Sequence, residues 1–185
     1  MPHLLRALAP FDDDEPDSSA DASRLLQFNA DLIGQALGVV DAHECAGAPP
    51  FSEHAGPHLR HVIEHYEALL LRPTHGVIDY DNRPRDRELE RCTLRARARL
   101  LRLRARLHGE RAVDLEAPVH VVTRCGLVGE YELRSRSSIG RELMFLAGHA
   151  VHHFALLKLV CTQRGLTLDP HFGKAPATLH HERRA

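Results

Sequence analysis

Neither sign of charge dominates this chain of 185 residues: 24 basic and 25 acidic side chains leave a formal net charge of −1. Without a global field, composition gives no argument for a nucleic acid or an anionic membrane as partner. No apolar run approaches the ~20 residues that a membrane-spanning helix needs. The amino terminus holds Arg6 and then Asp12-Asp13-Asp14-Glu15, which contradicts a secretory signal. Cys45, Cys92, Cys125 and Cys161 are scattered with no C-x-x-C pair, so neither a zinc ribbon nor a thioredoxin-type motif is supported. Reduced thiols in a cytoplasmic protein, packed as small hydrophobes, are the expectation. We find no internal repeat.

What the chain has is a hydrophobic fraction of 43%, enough for one domain with a sizeable core, and 15 histidines. Residues 1–19 read as a flexible acidic leader and 20–185 as a single domain. The apolar spacing predicts a first helix from about Ala20 to Asp41, broken by Gly47-Ala-Pro-Pro50. A second helix is expected with Ser52 as N-cap and Pro57 in its first turn, running through Leu71. Residues 74–85 read as a polar turn around Asp79-Tyr-Asp81. A third helix, rich in Arg and Leu, spans about Asp86 to His108. From Pro118 to Arg136 the period changes to alternation around Gly126 to Gly129, the pattern of a short β-hairpin. Ser137 or Ser138 then caps a fourth long helix ending near Arg164 and Gly165. In the tail, Pro170, Gly173 and Pro176 discourage a long helix. The expected class is all-α, a four-helix bundle with one short hairpin between the third and fourth long helices.

Two of the histidines, His149 and His153, stand four residues apart on the last long helix. That spacing turns the chain by about 40° and lifts it about 6 Å, so both imidazoles point the same way and can share one ion. They lie along one margin of the stripe Ile139, Leu143, Leu146, Ala147, Ala150, Phe154 and Leu157, whereas His152 is turned well outside it. The second helix carries His58, His61 and His65. His58 and His65 lie nearer its apolar margin than His61, and periodicity does not separate the first two. A third imidazole from this helix would complete a three-nitrogen site with an open position for water or substrate.

Together, Gly56-Pro-His58-Leu-Arg60-His61-Val-Ile-Glu64-His65-Tyr66, the Asp79-Tyr-Asp81 turn, and Arg141-Glu-Leu143 with His149-Ala-Val-His152-His153-Phe resemble the DinB/YfiT-like superfamily. The resemblance covers roughly residues 20–180. It implies a four-helix bundle, often dimeric, so a homodimer is among its expectations. It also implies a divalent metal, zinc or nickel, held by one histidine of the second helix and the pair on the last. Carried over, these fall on His65, His149 and His153. The extra histidines at 58, 61 and 152 depart from the simplest pattern, and His58 or His61 can stand in for His65. Relatives of this kind include metal-dependent hydrolases and transferases that use a low-molecular-weight thiol cosubstrate, acting on small molecules. A non-catalytic helical metal-binding module is the alternative.

No catalytic acid or base is identifiable. Glu64 is turned by about 100° from His65. Asp79 and Asp81 are candidates to orient a ligand imidazole, against a plainer reading as loop ion pairs with Arg83 or Arg85. Glu142 suits a helix N-terminus electrostatically; Arg141 can reach a substrate carboxylate or simply solvate the helix start. Arginines 91, 95, 97, 99, 102, 104 and 106 spread around the third helix and read as a solvated face. With no aromatic interleaving, no nucleic-acid partner is expected, and no membrane.

Overall fold

The computed structural model describes residues 18–45, 47–71, 76–109 and 113–184. Most of the expected leader therefore lies outside the described residues. Helix α1 spans Ser18–Glu44, and a 3-10 turn at Phe51–Glu53 leads into α2, Ala55–Leu70. A short strand β1, Val77–Asp79, precedes α3, Arg87–Arg91, and α4, Thr93–His108. Strands β2, Pro118–Cys125, and β3, Tyr131–Ser138, form a hairpin that runs directly into α5, Ile139–Gln163; α6, Pro176–Glu182, closes the chain.

The four long helices pack on one another, α1 against α4 and α5, and α2 against the same two. Each contributes one apolar stripe. On α4, for instance, Ala96, Leu100, Leu103 and Leu107 recur at helical spacing and are buried while the intervening arginines face outward. Where α1 meets α2, the Tyr66 hydroxyl donates to Asn29 Oδ1 at 2.7 Å, both residues being buried. Against the expectation that no segment is long and apolar enough to span a membrane, α5 passes that test by length and composition, and its buried side is part of this core.

The all-α expectation fails at the sheet. Three strands lie in the order β1-β2-β3, with β1 parallel to β2 and β2 antiparallel to β3, so the sheet is mixed and larger than a short hairpin. Val77 pairs with His120 and Asp79 with Val122. A strand of three residues has no period to read. Its partner lies some forty positions on, so nothing local marked it, and the segment reads as a polar turn.

Other boundaries also move. Ser52 falls in the 3-10 turn, and α2 starts after His54 with no side-chain cap. The third helix is two helices: Cys92 has extended backbone (φ −119°, ψ 108°) and separates α3 from α4. Asp86 caps α3 by accepting from the Glu88 amide, and Ser138 caps α5 by accepting from the Arg141 amide. The stop at Gly165 (φ +80°) is a paired C-cap: the Leu166 amide donates to the Cys161 carbonyl and the Gly165 amide to that of Thr162. Most arginines of α3 and α4 are exposed, as expected of a solvated face, but Arg97 and Arg99 are less so. Arg99 grips buried Glu67 through two nitrogens and Asp86 at 3.0 Å, while Arg97 reaches Asp41 and Glu44, each at 2.5 Å. These pairs tie α4 to α2 and α1. Of the four cysteines, all free, only Cys161 is buried.

Gly56 lies where α2 meets the end of α3, and a Cβ there would fall 1.9 Å from the Glu90 carbonyl oxygen. Backbone, not a movable side chain, fills that space. Gly56→Ala should therefore destabilise the fold by about 2–3 kcal/mol, as overpacking does. A urea titration checks this; a midpoint equal to wild type would show that α2 and α3 are not in close contact.

Candidate metal centre

Taking 100° per residue, His58, His61 and His65 all lie on one flank of the apolar stripe of α2. His149 and His153 lie on one flank of the stripe of α5. When α2 and α5 pack, the two flanks meet. His61 Nε2 comes within 3.0 Å of His149 Nε2, and His58 Nδ1 within 3.1 Å of His153 Nδ1. Ligand nitrogens of His61, His149 and His153 all fall within 4.8 Å of one another. A tetrahedral ion with bonds of ~2.1 Å needs its nitrogens ~3.3–3.4 Å apart, inside that 4.8 Å limit.

His65, the ligand that the family resemblance points to, is buried beside this trio. Its ring centroid is 4.6 Å from that of His149 and 4.2 Å from that of His61. Its Nδ1–H donates to the His61 carbonyl at 2.6 Å, which leaves the lone pair on Nε2. His152 is exposed, as its helical angle predicts. The trio takes from α2 the histidine that lies farther from the apolar margin than His58 and His65. The rings meet at the outer lip of the groove between α2 and α5, and a residue rotated away from the core is the one that reaches there.

Electrostatics keep these imidazoles neutral. Burial, then His65, His153, Arg83 and His149, push the pKa of His61 down to about 2. Burial is also the first cause for His65, down to about 4 although its bond to the His61 carbonyl opposes the shift, and for His153, down to about 4. His58 and His149 are lowered too, again by burial first and then by His152. Neutral imidazole is the form that binds a metal. Arg83 counts against a cation: its Nη2 is 3.4 Å from His61 Nδ1.

The wall beside the cluster comes from residues whose role the sequence left unread. The Tyr80 ring stacks on His65 at 5.5 Å and packs on Phe145 at 5.8 Å, and its hydroxyl donates to Glu142 Oε2 at 2.9 Å. Glu142 is buried, and its other oxygen accepts from Ser137 Oγ at 2.6 Å. It is thus a fixed acceptor that holds Tyr80 against His65, more than a helix-start charge. An aromatic between two aspartates in a predicted turn was the available signal. Burial and Glu142 raise the Tyr80 pKa, so its phenol stays protonated. Beside His149, a wide cavity of about 470 Å³ is lined by Arg141, Met144, Phe145 and Gly148.

The carboxylates considered as imidazole partners are engaged elsewhere. Asp79 Oδ1 accepts from the amides of Asp81 and Asn82, closing the turn after β1. Asp81 Oδ2 accepts from the Arg124 amide at 2.7 Å and Thr123 Oγ1 at 3.2 Å, pinning that turn to β2. Glu64 Oε1 accepts from the Asp86 amide at 2.8 Å.

No family model matches the chain, and no solved structure matches it. Over 105 residues, 57% of its length, the chain is 31% identical to a Rhizopus delemar protein named FK506-binding protein 5. The chain spans 27% of the length of that protein. Over so small a share the likeness assigns neither family nor function, and it adds nothing in favour of a DinB/YfiT-like fold.

The depressed histidine pKa values carry a sign. An unfolded histidine titrates near 6.5, whereas His61, His65 and His153 stay neutral to about 2, 4 and 4. Below pH 6.5 the unfolded chain binds more protons, so their contribution is complete above that pH and fades as pH falls from 6.5 towards 4. Chelator-treated protein should lose urea resistance steadily from pH 7 to pH 5, with about two to three protons taken up on unfolding. A flat midpoint over that window would show that the rings are already charged when folded.

Proposed function

We propose that this protein holds one divalent metal ion through His61, His149 and His153, and uses it in hydrolysis of, or thiol transfer to, a small molecule. The convergence of these three ring nitrogens within 4.8 Å, contributed by two helices, carries the reading. His65 stands beside the ion and is the substitute ligand, since its Nε2 has the lone pair. The resemblance of the histidine pattern to DinB/YfiT-like proteins supports the same chemistry, with zinc or nickel as the ion.

Held by three neutral imidazoles, the ion would keep its full double charge and would supply Lewis acidity for activating water, polarising a carbonyl or favouring the thiolate of a thiol cosubstrate. The chain's own residues do the rest. Tyr80, held by Glu142, fixes the His65 ring by stacking. Phe145 stacks on His149 at 5.7 Å and fixes the other side. The open cavity beside His149 is lined by Met144, Phe145 and Arg141, a combination that suits a small substrate with an apolar body and an anionic end. The ligand that the name of the Rhizopus relative records belongs to that longer protein and is not carried to this chain.

Metal analysis after purification in zinc or nickel should give about one ion per chain. The double variant His149→Ala/His153→Ala should lose it, with at least a ~10-fold drop in affinity, because two of three ligands go. His61→Ala should weaken binding more than His65→Ala; the reverse order would move the third ligand to His65. Metal content unaffected by the double variant would overturn the site. If metal binds but thiols and esters leave the spectrum of the cobalt-substituted protein unchanged, the non-catalytic metal-binding module is the better reading.

A further inference from the structure

Strand β3 is an edge strand. It pairs with β2 on one side over eight consecutive residues without a bulge, and no described strand lies on the other. Every residue from 131 to 136 is exposed, including Tyr131 at 62% and Leu133 at 54%. An edge of this length presents a row of unpaired amides and carbonyls, a template for another strand. Natural edges are often protected by charge of one sign. Here both signs occur, segregated along the chain: Glu130, just before the strand, and Glu132 come first and Arg134 and Arg136 follow at alternate positions, while Tyr131, Leu133 and Ser135 take the other face.

We infer that β3 pairs with β3 of a second copy of this chain, antiparallel about a two-fold axis at Leu133. Only the register is open in such a pairing, and charge selects it. Centred on Leu133, Glu132 stands opposite Arg134 of the second copy and Glu130 opposite Arg136, each pair repeated by the symmetry. Leu133 meets its own equivalent, and Tyr131 meets Ser135. Centred on Glu132, two carboxylates face each other; centred on Arg134, two guanidinium groups do. A one-residue slip from the favoured register sets each of these charges against an uncharged residue. Directly opposed charges are the close neighbours of an antiparallel ladder, favourable when opposite and costly when alike. Glu132 and Arg134 are already 3.5 Å apart within one strand and well exposed, so pairing adds an opposite charge across the strands to each, whereas Glu130 also accepts from the Val128 amide. The product is one continuous six-stranded sheet with its β3 edges covered. Isologous closure of this kind stops at two chains. The inference is independent of the metal reading.

Charge reversal tests both the surface and the register. Sedimentation velocity of the full chain should show a dimer at low salt. Glu132→Arg and Arg134→Glu, at exposed positions that leave the fold intact, should each set like charges opposite and raise the dimer dissociation constant at least ~10-fold. The double variant Glu132→Arg/Arg134→Glu restores opposite charges and should recover the wild-type constant to within ~3-fold. A wild-type chain that is monomeric up to about 1 mM overturns the inference. So does a dimer indifferent to either single change, or one that the double variant fails to restore.

Discussion

The packing of α2 on α5 is the constraint on which the rest of this structure depends. Each helix carries its clustered histidines, His58, His61 and His65 on one and His149 and His153 on the other, along one flank of an apolar stripe. The stripes are buried: Leu59, Val62, Ile63 and Tyr66 on one helix, Leu143, Leu146, Ala147 and Ala150 on the other. Burying an aliphatic side chain of this size is worth about 1.5–3 kcal/mol, and burial of the stripes fixes how each helix is rotated about its axis. The histidine flanks have no separate choice of position. Hydrophobic burial sets the geometry of the imidazoles, and desolvation at the same contact removes their charge.

The sequence disclosed whatever repeats along a helix. The apolar stripes of α1, α2 and α5, the stop at Gly165 and the direction of the His149 and His153 pair were all legible from spacing. What depends on contacts between distant segments was not. Strand β1 exists because Val77 to Asp79 lie against His120 to Val122, and no property of three residues announces that. The break at Cys92 is likewise tertiary: nothing in an Arg- and Leu-rich run signals it, and Arg99 beyond it binds Glu67 of α2 together with Asp86.

The site divides along the same line. Periodicity found the flank of α2 but ranked His61 below His58 and His65, because it measures distance from the core and the rings meet at the lip of a groove. It also gave no reason to connect Tyr80 with Glu142, which are 62 positions apart and share a buried hydrogen bond. The aspartates either side of Tyr80 drew attention as possible imidazole partners, yet their oxygens hold the turn and pin it to β2. They position the aromatic that stands between them.

Arg83 shows how the loop after β1 sets the character of the centre. A half-buried guanidinium beside His61, His65 and His149 makes each a poorer base than burial alone would, so the nitrogen lone pairs stay free above acid pH. The same positive charge opposes a second one arriving between those rings. Burial lowers the pKa of Arg83 itself, and the Glu64 charge works against that lowering. Asp81 acts on Arg83 in the same sense as Glu64, while Glu142 is committed to Tyr80 and Ser137. Against the Arg83 charge, the divalent ion proposed above would be favoured most if an anion entered with it, either hydroxide, a thiolate, or a carboxylate of the substrate. Each of these is a species that metal-assisted hydrolysis or thiol transfer requires, so the electrostatic need of the site and the chemistry proposed for it point the same way.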